Sequence, residues 1–427
     1  MSGRKATGWS RLDNAAKIFP PTSSRSDPKV FRFSCELYEQ VEPEALQAAL
    51  DLTLESFPHL RSVLRRGLFW YYLDSSSLQA QVEEEHLPPC APLYDPARRG
   101  LLFRVFYYRR RIGFEVYHAL TDGTGALQFL RMLVYHYLTI RHRQAFPDGL
   151  PPFDYDASTG QASDDSFRRY YSDHAASAGP AVPPRPVRAH HLTGARLPEY
   201  RLRVLEAECS AKEVVGCARA RGVTVTGLLA GLLFCAVNEE MTVRERRRPV
   251  VLTIPVNLRK YFSSESARNF FGIVNLSYRF DRPDADFEEV LKVLTSEMSA
   301  ELTPERLAGR MQQLSALEHN MLTRLVPLAF KDLSLRIADR VSKRGVTGAL
   351  SNLGRVEMPA ELHQYIRLFD VFNSTNRLQV CACSFGDRMM VSCTSPLVSA
   401  DLYKRFFRSL GDLGVGLTIH SNQPEEE

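Results

Sequence analysis

Residues 102–123 read LFRVFYYRRRIGFEVYHALTDG, from Leu102 to Gly123, and this stretch decides the fold. Two apolar runs, 102–108 and 112–118, flank Arg109, Arg110 and Arg111, a pattern that predicts a β-hairpin. Side chains alternate along a strand, so Ile112, Phe114, Val116 and His118 share one face while Gly113, Glu115 and Tyr117 take the other. After Gly123 the period changes. Ala126, Leu127, Leu130, Leu133, Val134, Tyr137 and Leu138 recur at helical spacing, which predicts an amphipathic helix. The motif His118-x-x-x-Asp122-Gly123 therefore occupies a strand-to-helix turn.

Such a turn holds an imidazole between two rigid elements, partly shielded from water. An unperturbed histidine titrates near pH ~6.5 and so accepts a proton from an attacking hydroxyl at neutral pH with little tuning. A structural reading fits the same residues. A histidine ending a strand is often a hydrogen-bonded core residue, and Asp before Gly and a helix is a good N-cap. Spacing alone leaves both open.

Working outward, the first half predicts a strand at Val30 to Leu37, a helix from Pro43 to Ser56 and a strand at Phe69 to Leu73, ahead of the hairpin and its helix. This first lobe spans 1–150. Over 151–200 the composition turns to Pro, Ala, Ser, Asp and Arg, with Pro180, Pro183, Pro184 and Pro186 crowded together, as in a crossover linker. A short polar helix around Asp164 to His174 interrupts it, and the His190-His191 pair reads as a solvated loop.

The second lobe, 201–427, predicts a strand at Arg201 to Glu206, a helix at Ala211 to Arg221 and a buried helix within Val223 to Val237. A central strand follows at Val250 to Ile254, then helices at Phe287 to Leu302, Pro304 to Glu318 and parts of Met321 to Lys343. A strand at Val346 to Leu350 leads into Ser351-Asn352-Leu353-Gly354. A hairpin pairs Leu378 to Phe385 with Arg388 to Thr394, and a helix at Ala400 to Leu413 precedes an acidic tail. Mixed sheets covered by helices, twice over, make an α/β protein of two lobes.

Composition narrows the function classes. A chain of 427 residues exceeds one ordinary core, and 44% hydrophobic with 24% charged residues describes a soluble globular protein. The net charge of +5 lacks the concentration a nucleic-acid binder needs, and Arg244, Arg246, Arg247 and Arg248 read as a solvated loop. The most apolar stretch, Val223 to Val237, is shorter than the ~20 residues of a membrane span, and the N-terminus has no apolar signal region. A cytoplasmic location is expected. Eight cysteines at 35, 90, 209, 217, 235, 381, 383 and 393 have neither zinc-site nor disulfide-scaffold spacing and read as reduced, mostly buried residues.

With the motif in one half, a proline-rich crossover, and Pro255-Val256-Asn257-Leu258-Arg259 and Ser351-Asn352-Leu353-Gly354 in the other, the chain resembles the chloramphenicol-acetyltransferase-like superfamily. The nearest branch is the alcohol acetyltransferases, whose start Trp9-Ser10-Arg11-Leu12-Asp13-Asn14-Ala15-Ala16-Lys17-Ile18-Phe19-Pro20 also resembles. The resemblance implies two lobes with an interlobe channel and an acyltransferase that moves an acyl group, such as acetyl, from acyl-CoA to an alcohol. It implies His118 as general base beside Asp122 and Gly123, with Asp122 holding Arg259 across the site. Ser351 or Asn352 is the candidate oxyanion donor, and Asn257 a further substrate-binding candidate; Asn352 and Asn257 equally suit a turn and a strand end. No tightly bound cofactor or metal is expected. The implied partners are acyl-CoA and a small-molecule alcohol on a monomer, with an acyl carrier protein as alternative donor.

Many relatives carry histidine directly before the catalytic one, where this chain has Tyr117, which alternation turns away from the His118 face. No H-E-x-x-H, G-x-x-x-x-G-K-[ST] or G-x-S-x-G occurs. The competing functional class is a non-catalytic module that uses the same cleft to bind a lipid or carrier protein.

Overall fold

The computed structural model describes residues 8–147, 149–150, 153, 187–198, 201–262, 264, 266–319 and 326–423, with the backbone alone over 313–319. The helix expected at Asp164 to His174 and the acidic tail lie outside them. The first lobe is built on a five-stranded sheet ordered β12-β2-β7-β6-β5, where β2 is Val30–Leu37, β5 Val82–Glu84, β6 Phe103–Tyr108, β7 Arg111–Tyr117 and β12 Ile366–Asn373. The expected hairpin is β6–β7. Its turn is made by Arg109, at φ 53°, and Arg110.

Helices α2 (Pro43–Ser56) and α3 (Gly123–Arg141) cover one face through Leu46, Ala49, Leu50 and Leu54 and through Ala126, Phe129, Leu130 and Leu133. The opposite face is buried as well, which alternation does not anticipate. Glu115 is fully buried, and its cross-strand neighbours Arg32 and Arg104 each donate to it through Nε at 2.7 Å, with the Cys90 amide donating at 2.8 Å. A buried carboxylate survives because every lone-pair direction finds a donor.

The second sheet has seven strands in the order β10-β9-β11-β13-β14-β8-β15: β8 Arg203–Ser210, β9 Val250–Asn257, β10 Phe271–Tyr278, β11 Gly348–Arg355, β13 Leu378–Phe385, β14 Arg388–Ser395 and β15 Leu417–Ser421. Strand β11 runs parallel to both its neighbours, the rest antiparallel. Helices α4 (Ala211–Ala220), α5 (Val225–Glu240), α6 (Phe287–Glu301) and α9 (Asp401–Asp412) cover it. The apolar α5 is a core helix, capped by Thr224, and no single described helix is long and apolar enough to cross a membrane.

Strands β1 (Trp9–Arg11), β3 (Ser62–Arg66) and β4 (Tyr71–Ser75) form a small third sheet in the order β1-β4-β3. Helices α7 (Pro304–His319) and α8 (Leu328–Arg344) complete the second half, and a short turn of helix, α1 (Phe19–Thr22), lies against α8.

Four findings revise the expectations. Strand β12 belongs to the second half of the sequence yet pairs antiparallel with β2 in the first sheet, Asp370 opposite Ser34, so the sheets do not follow the division expected at 151–200. It also joins the lobes, since Ser392 Oγ of β14 donates to Asp370 at 2.5 Å. Residues 351–354 are not a loop: they lie inside β11, with a bulge between Asn352 and Arg355. His190 is buried, its amide bonded to the Pro249 carbonyl and its own carbonyl accepting from Thr347 Oγ1, so only His191 fits a solvent-facing segment. Arg246 likewise folds back onto Asn238. All eight cysteines are free, six of them buried.

Candidate active site

His118 follows the last residue of β7, and its amide donates to the Lys29 carbonyl at 2.8 Å. The ring is half-buried in aromatic surroundings: Phe19 stacks on it at 4.3 Å between centroids, and Phe31 and Phe271 approach at 5.0 and 5.6 Å. Phe19 comes from the N-terminal segment and Phe271 from β10, so three distant parts of the chain hold one imidazole.

Asn269 fixes the proton on that ring. Its Nδ2 donates to the His118 carbonyl at 3.1 Å and to Asp13 Oδ2 at 3.2 Å, two groups that only accept. The amide is thereby oriented with Oδ1 toward the ring, 3.2 Å from Nδ1. Nδ1 must then be the donor, which leaves the Nε2 lone pair as the base. Burial lowers the pKa of His118 from its usual value, against its own backbone carbonyl, Asp122 and Asn269, which raise it. The imidazole is neutral at neutral pH.

Asp122 faces elsewhere. Oδ1 caps α3 by accepting from the Gly125 amide at 3.0 Å, while Oδ2 accepts from Arg259 Nη1 and from the Phe270 amide, each at 2.8 Å. Arg259 also gathers the loop before β10 by donating to the Ser266 carbonyl through Nε at 3.0 Å and to the Arg268 carbonyl through Nη2 at 2.6 Å. Asn257 ends β9 and accepts from the Arg259 amide at 3.0 Å, a positioning contact for that arginine.

Gly123 is the first residue of α3, and a Cβ there would lie 3.2 Å from Leu353 Cδ2. The tighter glycine is Gly125, where a Cβ would meet the Ala267 carbonyl oxygen at 2.0 Å and Thr121 Oγ1 at 2.2 Å. Gly125→Ala is expected to destabilise the protein by about 1–3 kcal/mol or more, because backbone must yield; urea denaturation measures it.

The second-half candidates separate by face. Leu350 is in the core of the second sheet, and Asn352 beside it donates to Thr226 Oγ1 at 3.1 Å while its Oδ1 accepts from the Gly354 amide at 2.9 Å. Both ends of that amide are engaged in holding the bulge and the start of α5. Leu353 packs into the first-lobe core, and the period of two puts Ser351 on its side. Tyr117 is fully buried, stacked on Tyr94 at 5.3 Å and hydrogen-bonded to Ser23 Oγ at 2.9 Å, where a second histidine would find no water.

Sequence reasoning missed Asn269 and the aromatic cage. Nothing local marks Asn269; its partner Asp13, whose Oδ1 caps the turn at Ala16, lies in the opening segment quoted above. His59 is a further buried histidine, pushed down to about 3 by burial and Arg268. Its neutral form is favoured on folding, so stability is present above pH ~6.5 and lost as the unfolded chain takes up a proton below that. Thermal unfolding followed from pH 7 to 4 is expected to fall, and less so in His59→Gln.

Comparisons with known proteins bear on the fold. The family described as phthiocerol/phthiodiolone dimycocerosyl transferase C-terminus matches residues 194–365. No curated protein matches the sequence. Among solved structures, TRI3 trichothecene 15-O-acetyltransferase from Fusarium sporotrichioides is similar over 96% of both chains, with TM-score 0.62 and 12% identity. TRI101 of F. sporotrichioides, complexed with coenzyme A and T-2, is similar over 97% of this chain and 100% of its own, with TM-score 0.64 and 10% identity. The first condensation domain of the calcium-dependent antibiotic synthetase follows at TM-score 0.61 and 16% identity, covering 96% of this chain and 97% of that one. The chain has the two-lobe fold of chloramphenicol-acetyltransferase-like acyltransferases and condensation domains. Among the described residues the expectation of two mixed sheets covered by helices holds, with the small sheet β1-β4-β3 beside them.

Proposed function

We propose that this protein is an O-acyltransferase that moves an acyl group from a coenzyme A thioester to an alcohol within a channel between the lobes. The observation that carries the reading is the His118–Asn269 pair, which leaves Nε2 as an unprotonated base on a neutral ring. Nε2 takes the acceptor's hydroxyl proton as the oxygen attacks the thioester carbonyl. The tetrahedral oxyanion then collapses, the C–S bond breaks, and Nε2 returns the proton to the leaving thiolate. Atoms and charge balance without a further reagent.

Ser351 is the oxyanion donor in this reading, since its hydroxyl shares the first-lobe side of β11 while Asn352 is engaged. Losing such a donor costs about 2.7–4 kcal/mol of barrier. The coenzyme A donor is supported by the similarity to TRI101, whose structure holds coenzyme A. Cytoplasmic residence and a monomer complete the proposal, the first supported by the eight free cysteines.

The test is thiol release from a panel of acyl-CoA donors with alcohol acceptors, followed by mass spectrometry of the product. An ester product is expected. Turnover only with a carrier-bound thioester or an amine would move the reading to those substrates, and silence with every pair would end it.

Burial sets the pH dependence. The base works when neutral, so kcat/KM is expected to rise with pH through a His118 pKa below the usual ~6.5 and to level off on the alkaline side of it. Asn269→Leu removes the acceptor that pins Nδ1–H. Its kcat is expected to fall about tenfold or more with little change in KM, and its acid limb to move lower, since Asn269 raises that pKa. An unchanged acid limb would reduce Asn269 to a packing residue.

A further inference from the structure

Helix α8 is built inside out. Its inward side carries Asp332, which accepts from Tyr71 OH at 3.0 Å and Arg66 Nη2 at 3.2 Å, and Asp339, paired with Lys343 at 2.7 Å. Its outward side carries Phe330, Leu333, Ile337 and Val341, exposed by 63%, 56%, 53% and 41%. Spacings of three, four and four residues align these four in one stripe. Single exposed hydrophobes need no account, but a continuous row on a long helix does.

The stripe continues at both ends. At the N-terminal end the Leu328 amide donates to the Leu68 carbonyl and Lys331 Nζ to that of Phe69, which brings in the β3–β4 turn with exposed Leu68 and Phe69. At the C-terminal end lies a cavity of about 280 Å³ whose polar lining includes His191, Arg196, Asn376 and Arg377. His191 Nε2 donates to the Arg344 carbonyl at 3.1 Å, and Arg377 Nη1 to that of Val346 at 2.8 Å, so the cavity adjoins the helix end. Among the described residues no carboxylate comes within 4.0 Å of Arg196, Arg377, Arg340 or Arg344. Asp339, which lies in the field of Arg377, is already paired with Lys343.

We propose that the outward face of α8, with the β3–β4 turn and the arginine-lined cavity, docks the protein on an anionic lipid surface. The stripe is a ridge of protruding side chains, which acyl chains accommodate without a complementary groove, and the cavity offers its guanidinium groups to lipid phosphate. The surface lies beside the site: Arg336 Nε donates to the Pro21 carbonyl at 2.9 Å, in the same α1 whose Phe19 stacks on His118. Resting on the acyl-transfer reading, this points to lipophilic acceptors drawn from the bilayer.

The test is cosedimentation of the full chain with phosphatidylcholine vesicles, with and without about a third phosphatidylglycerol. Binding is expected to the anionic vesicles and to weaken with salt. Phe330→Glu with Ile337→Glu should lower it about tenfold or more, and Arg196→Gln with Arg377→Gln should lower it on anionic vesicles. These glutamate positions are exposed, and unchanged circular dichroism confirms that the variants fold. His118→Ala should bind as the parent does, so a failure of docking and a failure of catalysis read separately. No binding to anionic vesicles, or binding indifferent to both double variants, would overturn the proposal. So would a dimer in size-exclusion chromatography that Phe330→Glu with Ile337→Glu dissociates, which assigns the face to a second copy.

Discussion

His118→Ala is expected to lower acyl transfer by about 10²- to 10⁴-fold, the range that a positioned general base contributes. The substitution deletes Nε2 and nothing else that reacts. Folding should be little affected, because the His118 amide keeps its bond to Lys29 and the carbonyl keeps Asn269, both through the backbone. The ring's stacking on Phe19 is lost, and the three aromatic neighbours close over a smaller side chain. The distinguishing measurement is the thiol-release rate against pH. In the parent the acid limb follows the buried imidazole; in the variant residual turnover should rise with hydroxide across that region. Parental rates in the variant would remove His118 from the mechanism.

Asp122→Ala should unfold more easily, by about 3–5 kcal/mol, and lose most of its activity as a consequence. The change strips a partner from Arg259 in a pair whose side chains are 5% and 11% exposed, so a guanidinium is left buried without its counter-charge. It also removes the α3 cap and releases the Phe270 amide, next to Asn269. Catalysis therefore suffers through the loop that orients His118. Asp122→Asn separates this from a proton relay: its single amide oxygen can still accept from Arg259 and the Phe270 amide while the α3 cap at Gly125 is given up, and the loss of a negative charge near the ring moves the acid limb lower. A strut predicts that modest displacement with most of kcat retained. A relay predicts that kcat collapses in Asp122→Asn as it does in His118→Ala.

Much of this was legible beforehand, for physical reasons that differ by element. The β6–β7 hairpin and α3 announce themselves because the period switches from two to 3.6 within one stretch, and α2 and the β13–β14 hairpin likewise carry local signals. Strand β12 does not. Its residues Ile366–Asn373 look like any short apolar run, and only pairing with β2, more than three hundred residues earlier, makes them a strand of the first sheet. Alternation puts Glu115 on the face opposite His118 but does not say what covers that face, so its burial is not legible from the strand alone. Asn269 escaped notice for a similar reason. Its role exists only once the loop before β10 meets the N-terminal segment at Asp13. For Ser351 and Asn352, by contrast, the candidates are adjacent in sequence, and only the pleat of the strand separates them onto different faces.

The position of β12 has a consequence for synthesis. Until residue 373 leaves the ribosome, β2 is an unpaired edge beside a finished β7, with backbone donors and acceptors open to any passing strand. At ordinary elongation rates the interval between the end of β7 and the end of β12 is roughly 10–50 s, long against the folding of a hairpin. The nascent first lobe must wait, held by chaperones or kept from neighbouring chains, and a fragment ending near residue 150 should emerge as an aggregating half-sheet.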